Sequence, residues 1–465
     1  MSADFAPLRS IASVDGAAVD AFVDFVRQGS DREIVRINPV WFARDRGLDE
    51  RSVVDMFLHA RKLGLVTMEW LFVCHGCGEI VESLASLTSA SSHFFCDVCS
   101  ADRRTDMSEY VEVVFSVAVS VRHSAFHDPW SLDPETLFFE HRFDSNSLVD
   151  GLPVAEHLRA CVVTCRYVGA GETITIEADA EPEYLWFTNG PAVLVRPERT
   201  DEWRTFEFEY TGTHTAGFRA EIDAGPVRTR FTNRTSHPYA LMVVNLPCEY
   251  ELERGVFLSG AEVLSNQTFL DLFETETVVA PEGLGVTRLA FVFTDLEGST
   301  AMYDRLGDMR AFELVRMHFG FLRETVVRHS GALVKTIGDA VMATFVDPAD
   351  AVRAAFEMLT RVDEFNAAQG DNHVRLKVGI HWGACLAVTL NDRLDYFGQT
   401  VNLAARVQSL AHANEIVISN DLAVQPSVAE LIRGLEATSA IVRVKGIESD
   451  VAVHRLMSVR PATAG

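Results

Sequence analysis

No apolar run in this 465-residue chain approaches the roughly 18 residues that a membrane helix needs. The opening stretch, MSADFAPLRSIASVDGAAVDAF, lacks a basic segment followed by an apolar block, so no secretory leader is expected. The protein therefore reads as cytoplasmic, with no membrane partner. Positive charge is also scarce: 41 Lys and Arg stand against 66 Asp and Glu, a net charge of −25. That argues against non-specific binding of nucleic acid or anionic membranes by the whole chain. It leaves room for a local basic pocket for a phosphorylated substrate. Internal repeats and low-complexity tracts are absent, which sets aside repeat architectures. What remains is an ordinary globular composition, 48% hydrophobic, in a length suited to two to four domains.

Eight cysteines in a cytoplasmic chain point to metal ligands or core packing more than to disulfides. Cys74 and Cys77 lie in CHGCG, and Cys96 and Cys99 in CDVC, giving C-x2-C, eighteen residues, C-x2-C. Four thiolates at this spacing read as a closed, tetrahedral, structural Zn²⁺ knuckle, with Gly76 and Gly78 permitting its tight backbone. The plainer alternative is a set of free thiols in a small core. His75 and His93 are spare donors that a site made of four cysteines does not need. Cys161 and Cys165, on one strand, would be roughly 13 Å apart, too far for a disulfide. They read as core residues, as do Cys248 and Cys385.

The pattern along the chain is α+β. Residues 15–70 form a helical module resembling a helix-turn-helix: Val53, Phe57 and Ala60 share a face, and Asp49 can cap their helix. Between residues 31 and 69 the basic and acidic side chains balance, so no nucleic-acid footprint is present and DNA is disfavoured as a partner. The zinc knuckle occupies 71–105. Residues 106–260 read as a β-rich domain with strands at 203–210, 217–223, 227–233 and 239–246. Residues 261–288 read as a connector. From 289 to 460 the order is β-α-β-β-α-β with additions, a ferredoxin-like core, with NDRLDYFGQ read as a loop.

Chemistry concentrates in that last segment. Asp295 ends an apolar strand and is followed by the turn LEGST. Asp339 sits in KTIGDA, at a tight turn between two short apolar strands. Two carboxylates at neighbouring strand ends suit hard divalent cations, and a turn of small residues can offer backbone N–H groups to an anion. Taken singly, each aspartate is equally a plain turn residue. Asn402 and Arg406, four apart, share a helix face and suit a phosphorane-like transition state; the bland reading is a capping Asn and a solvated Arg. Lys335, Asp395 and Lys445 complete the candidates.

Four stretches, FTDLEGST, LVKTIGDAVMATF, LDYFGQTVNLAARV and VKG, occur in order, and over 289–456 the chain resembles the catalytic domain of the class III nucleotide cyclases. The resemblance implies roles residue by residue. Asp295 and Asp339 match the metal-binding aspartates, which hold two Mg²⁺ or Mn²⁺ per site. Leu296, Glu297, Gly298, Ser299 and Thr300 match the turn that wraps the triphosphate. Lys335 and Asp395 match the base-reading pair, Asn402 and Arg406 the transition-state pair, and Lys445 a triphosphate lysine. A donor Lys and an acceptor Asp complement adenine, whereas guanylate cyclases carry a Glu and Cys pair. The implied activity is therefore an adenylate cyclase, a phosphorus–oxygen lyase converting ATP to cyclic AMP and pyrophosphate, with Asp295 or water taking the proton. The family works as a head-to-tail homodimer with sites shared between subunits. The order of the preceding segments, roughly 20–280, resembles an uncharacterised N-terminal region found on some bacterial class III cyclases; a regulatory role in signalling is expected of it because the cyclase core is complete without it. The alternatives are a guanylate cyclase and a catalytically silent nucleotide- or DNA-binding regulator.

Overall fold

Three helices near the start are delimited by their caps. Asp15 accepts from the Ala17 N–H at 3.0 Å and opens Gly16–Gln28. Asn38, followed by Pro39, opens Pro39–Arg46, which Gly47 closes in the left-handed conformation at φ 62°. Asp49 accepts from Ser52 N–H at 2.9 Å and opens Glu50–Lys62. Their inner faces meet through Phe22, Phe42 and Phe57, packed edge to face, and Phe57 stacks on Phe115. The computed structural model describes residues 4–457 apart from 97, 100, 189–191, 213–218, 247–250, 274–277, 279, 281, 369–373 and 444–449. Lys445 and Cys248 thus lie outside the described residues. Among the described residues no helix is long and apolar enough to cross a membrane.

The chain divides into two units. The first comprises Met1–Ala85, His93–Thr105 and Tyr110–Leu258. Its helices pack on a sheet of Ile80–Leu84, Val66–Val73 and Val111–Val117, in that order. A larger sheet follows, centred on one long strand, Arg219–Asn233. The expected break between strands at 223 and 227 does not occur. Gly225 instead takes φ 131° and the strand bends through it, since any Cβ there would lie 2.1 Å from the Thr200 carbonyl oxygen. Its first half pairs with Ala192–Arg199 and its second with Arg204–Tyr210 and Thr173–Ala180. Leu185, Phe187, Val193, Phe231 and Leu241 fill the core this creates. Cys161 and Cys165 are free, partly buried thiols packed against a neighbouring cluster.

The second unit comprises Ser259–Gly465 with Ser86–Ser92 and Asp106–Glu109. Two short helices, Gly260–Leu264 (α1) and Gln267–Leu272 (α2), precede the strand Leu284–Leu296 (β1). Helices Ser299–Leu306 (α3) and Asp308–Arg328 (α4) lead to the hairpin Ala332–Ile337 (β2) and Ala340–Phe345 (β3). Pro348–Ala368 (α5) and the strand Leu376–Leu390 (β4) follow. Then come Arg393–Phe397 (β5), Gln399–Ser409 (α6), Glu415–Ser419 (β6), Ala437–Arg443 (β7) and Asp450–Met457 (β8). The sheet order is β2-β3-β1-β4-β6-β8-β7, with β5 on β4. Its first four strands have the ferredoxin-like order expected of β-α-β-β-α-β. Leu314, Leu322 and Val326 of α4 and Val352 and Met358 of α5 cover Val292, Val341, Val378 and Ile380. Helix α6 lies directly on β4 because Gly379 and Gly383 are bare: a Cβ at 379 would come 2.1 Å from the Gln408 nitrogen.

One expectation is corrected. Residues 393–397 form a strand rather than a loop, paired with Leu386–Leu390. Asn391 and Asp392 both adopt positive φ, 52° and 57°, and make the two-residue turn that brings β5 back onto β4.

Candidate active site

Asp295 lies one residue beyond the Thr294–Val341 pair that joins β1 to β3. The β2–β3 turn, with Gly338 at φ 64°, therefore brings Asp339 beside the end of β1. Asp339 Oδ2 is buried and has no hydrogen-bond partner. A buried carboxylate oxygen without a donor is costly unless a cation or water meets it. The pair Asp295 and Asp339 is thus an all-oxygen donor set with an open valence, and it fits a hard divalent cation.

Lys377 faces Asp295 directly across β1 and β4, with its Nζ 2.5 Å from Oδ2. The sequence reading missed this residue. A signal was available: lysine is rare in this arginine-rich chain, occurring at 62, 335, 377 and 445. A lysine in the otherwise apolar start of that strand, LKVGI, calls for a charged neighbour.

The turn after Asp295 ends at the first turn of α3. Gly298 caps that helix at φ 72°, with open space where a Cβ would stand. The N–H groups of such a first turn have no partners within the helix and carry partial positive charge. Within the turn the residues differ. The Leu296 side chain is buried in the core, and the Glu297 N–H already donates to the Arg375 carbonyl at 2.8 Å. Thr300 is exposed and Ser299 half-buried.

Lys335 and Asp395 meet. Nζ lies 2.5 Å from Oδ2, with the lysine side chain 38% exposed and the aspartate 11%. A register irregularity between Leu333 and Lys335 turns the lysine toward β5. The Tyr396 N–H donates to Asp395 Oδ1 at 2.8 Å, fixing the carboxylate from the other side. Tyr396 is itself anchored, its ring edge-on to Phe291 and its hydroxyl donating to the Leu264 carbonyl at 3.1 Å. Asn402 and Arg406 are both exposed on the outer face of α6, while Thr400, Ala404 and Val407 face inward. The two side chains thus point into solvent side by side.

In the first unit, Cys74, Cys77, Cys96 and Cys99 bring their four Sγ atoms within 4.8 Å of one another. Cys74 and Cys99 are 3.6 Å apart, and Cys77 and Cys96 3.5 Å. Those separations are close to the ~3.8 Å edge of a tetrahedron with ~2.3 Å Zn–S bonds. Bonds from the other three thiols hold Cys74 well below the usual thiol range, while burial pushes Cys77 up.

Residues 1–271 match the model of a family described as "Family of unknown function (DUF5939)", and residues 285–448 match the adenylate and guanylate cyclase catalytic domain. The chain belongs to the DUF5939 family. Its C-terminal unit is a class III cyclase catalytic domain. Over 145 residues this DUF5939 protein is 31% identical to Adenylate cyclase 2 of Rhizobium meliloti, spanning 28% of this chain and 40% of that protein. An adenylate cyclase of Anabaena cylindrica is 25% identical over 203 residues, 39% of this chain and 40% of that one. The chain thus matches well under two thirds of the length of these curated relatives. Among solved structures, the adenylyl cyclase CyaB from P. aeruginosa is similar at 24% identity and TM-score 0.34, over 37% of this chain and 95% of that one. A guanylate cyclase domain from Catenaria anguillulae, solved with GTP, is similar at 22% identity and TM-score 0.34, over 37% of this chain and 98% of that one.

Proposed function

We propose that this DUF5939 protein is an adenylate cyclase that converts ATP to 3′,5′-cyclic AMP and pyrophosphate at sites shared by two copies of the chain. The observation that carries the proposal is the Lys335–Asp395 pair, a donor and an acceptor held 2.5 Å apart in one partly buried position. Adenine offers an acceptor at N1 and a donor at its amine. Lys335 and Asp395 satisfy both by exchanging their mutual bond for two bonds to the base. Guanine offers N1–H and O6, which leaves both side chains mismatched, and mismatched buried polar groups discriminate strongly.

In the reaction proposed, the ribose 3′-oxygen bonds to the α-phosphorus as the bond from that phosphorus to the pyrophosphate oxygen breaks, and the 3′-hydroxyl proton passes to water or Asp295. When bound, two Mg²⁺ or Mn²⁺ ions at Asp295 and Asp339 would acidify the 3′-hydroxyl and neutralise the triphosphate. The first-turn N–H groups of α3 favour the phosphates, and Lys377 supplies a second positive charge at the end of β1. Lys445 is proposed to bind the triphosphate on resemblance alone. Asn402 and Arg406 donate to the oxygens of the α-phosphoryl group, where charge grows in the transition state. Asp339→Asn keeps the shape of the side chain and removes the charge. It is expected to lower turnover by about 10²–10³-fold with unchanged circular dichroism. Retention of full turnover would remove Asp339 from the site.

The cysteine quartet is proposed to hold one structural Zn²⁺. Purified protein is expected to carry one zinc per chain by elemental analysis, and Cys77→Ser to lose it. Chelation is expected to lower the unfolding midpoint of the first unit, because metal binding to a folded site adds to folding free energy. A midpoint that chelator leaves in place would assign the quartet to thiol packing. The first unit as a whole is proposed to regulate the cyclase, because all the described candidate residues for nucleotide and its metals lie in the second.

A further inference from the structure

Two short helices in front of the catalytic strands reach the Lys335–Asp395 pair from both sides. On the aspartate side, the Leu264 carbonyl at the end of α1 accepts from the Tyr396 hydroxyl at 3.1 Å, and Tyr396 adjoins Asp395. On the lysine side, Gln267 opens α2, and its Oε1 accepts from the Leu333 N–H at 2.8 Å. Leu333 lies on β2, the edge of the sheet, where outward N–H groups have no strand to meet. The Gln267 amide is held at its other end as well. Its Nε2 donates to Asp271 Oδ1 at 2.9 Å, and Asp271 pairs with Arg323 of α4. Gln267 is buried, where a polar side chain is tolerated for the bonds it makes.

That bond falls where β2 loses its regular pairing. Leu333 pairs with Ala343 and Lys335 with Met342, so Val334 is an extra residue, a bulge. The bulge decides where the lysine points. Side chains alternate between the faces of a sheet, and paired residues share a face. Were Val334 paired with Met342 instead, Lys335 would fall opposite Val341, whose side chain is buried in the core beneath α4 and α5. The bulge puts Lys335 on the other face, where it reaches Asp395. Lys335 also borders a cavity of about 290 Å³, shared with Gln267 and Phe269. With open space beside its stem, the lysine takes its direction from the strand backbone.

We propose that Gln267 is a positioning residue for base selection: by holding the Leu333 N–H it keeps the bulge in β2, and so keeps Lys335 on the face that meets the base. The inference rests on the adenylate cyclase reading above. The test is kcat/KM of the full-length protein for ATP and for GTP, with the unfolding midpoint of each variant. Gln267→Met keeps the length of the side chain and removes its acceptor. It is expected to lower the ratio of kcat/KM for ATP to that for GTP by about tenfold, the size of one hydrogen bond, chiefly through a higher KM for ATP. Gln267→Asn, a milder change that draws the acceptor back by a methylene group, is expected to lower the ratio in the same direction. Gln267→Glu combined with Asp271→Asn exchanges donor and acceptor between the two positions and leaves an oxygen facing Leu333. That pair is expected to restore the ratio to within about threefold of the wild-type value. If Gln267→Met and Gln267→Asn lower the midpoint and the rates for both nucleotides alike, with the ratio unchanged while Lys335→Ala loses it, Gln267 only anchors α2 and the proposal is overturned alone. If Lys335→Ala also leaves the ratio unchanged, or the wild-type protein forms no cyclic nucleotide, the base reading falls and this inference with it.

Discussion

Asp295→Ala and Asn402→Ala are each expected to be inactive alone, and an equimolar mixture to recover about a quarter of wild-type activity. The arithmetic follows from shared sites. Random pairing makes half of the dimers mixed. In a mixed dimer one site combines both defects, and the other combines an intact Asp295 from one copy with an intact Asn402 from its partner. Half of the dimers, each with one of two sites working, gives about a quarter. The geometry favours this outcome. Asp295 stands at the end of β1 beside Lys377, while Asn402 and Arg406 point outward from the exposed face of α6, where a second copy can be reached. No recovery on mixing, with dimers demonstrated by sedimentation, would mean that each chain completes its own site.

The second large effect concerns the base. Lys335→Glu combined with Asp395→Cys is expected to lower kcat/KM for ATP by about 10²–10³-fold and to raise the preference for GTP by a larger factor. Glutamate then accepts from guanine N1–H, and the thiol replaces a carboxylate that would repel O6. The double change removes both partners of the ion pair and leaves one carboxylate, at position 335, where the lysine side chain is 38% exposed. Lys335→Ala by itself leaves Asp395, 11% exposed, without its cation, and is expected to lose stability as well as turnover. Competition assays with both nucleotides, read by mass spectrometry of the cyclic products, separate these effects. An unchanged product ratio in the double variant would remove the pair from base recognition.

Much of the second unit was legible in the sequence because its pattern is regular. Apolar strands such as LAFVF alternate with helices of sustained 3.6-residue periodicity, and the turn residues Gly298, Gly338 and Gly398 punctuate them. Aspartates at strand ends are visible as breaks in apolar runs. Strand β5 was harder to see, because its hairpin depends on Asn391 and Asp392 both adopting positive φ rather than on a glycine. Lys377 was missed for a related reason: its role depends on the register between β1 and β4, which sequence spacing does not express. The first unit was less legible still. The bend at Gly225-Pro226 carries the signature of a turn, yet the chain continues as one strand because Thr200 packs where a side chain would be.

The most direct test of the central claim is product formation by the purified full-length protein, supplied separately with ATP and GTP in the presence of Mg²⁺ or Mn²⁺. Cyclic AMP and pyrophosphate are expected from ATP, little product from GTP, and at least about a hundredfold less cyclic AMP from Asp339→Asn. Cyclic GMP as the main product would contradict the reading of Lys335 and Asp395, and cyclic AMP formation undiminished in Asp339→Asn would contradict the site itself.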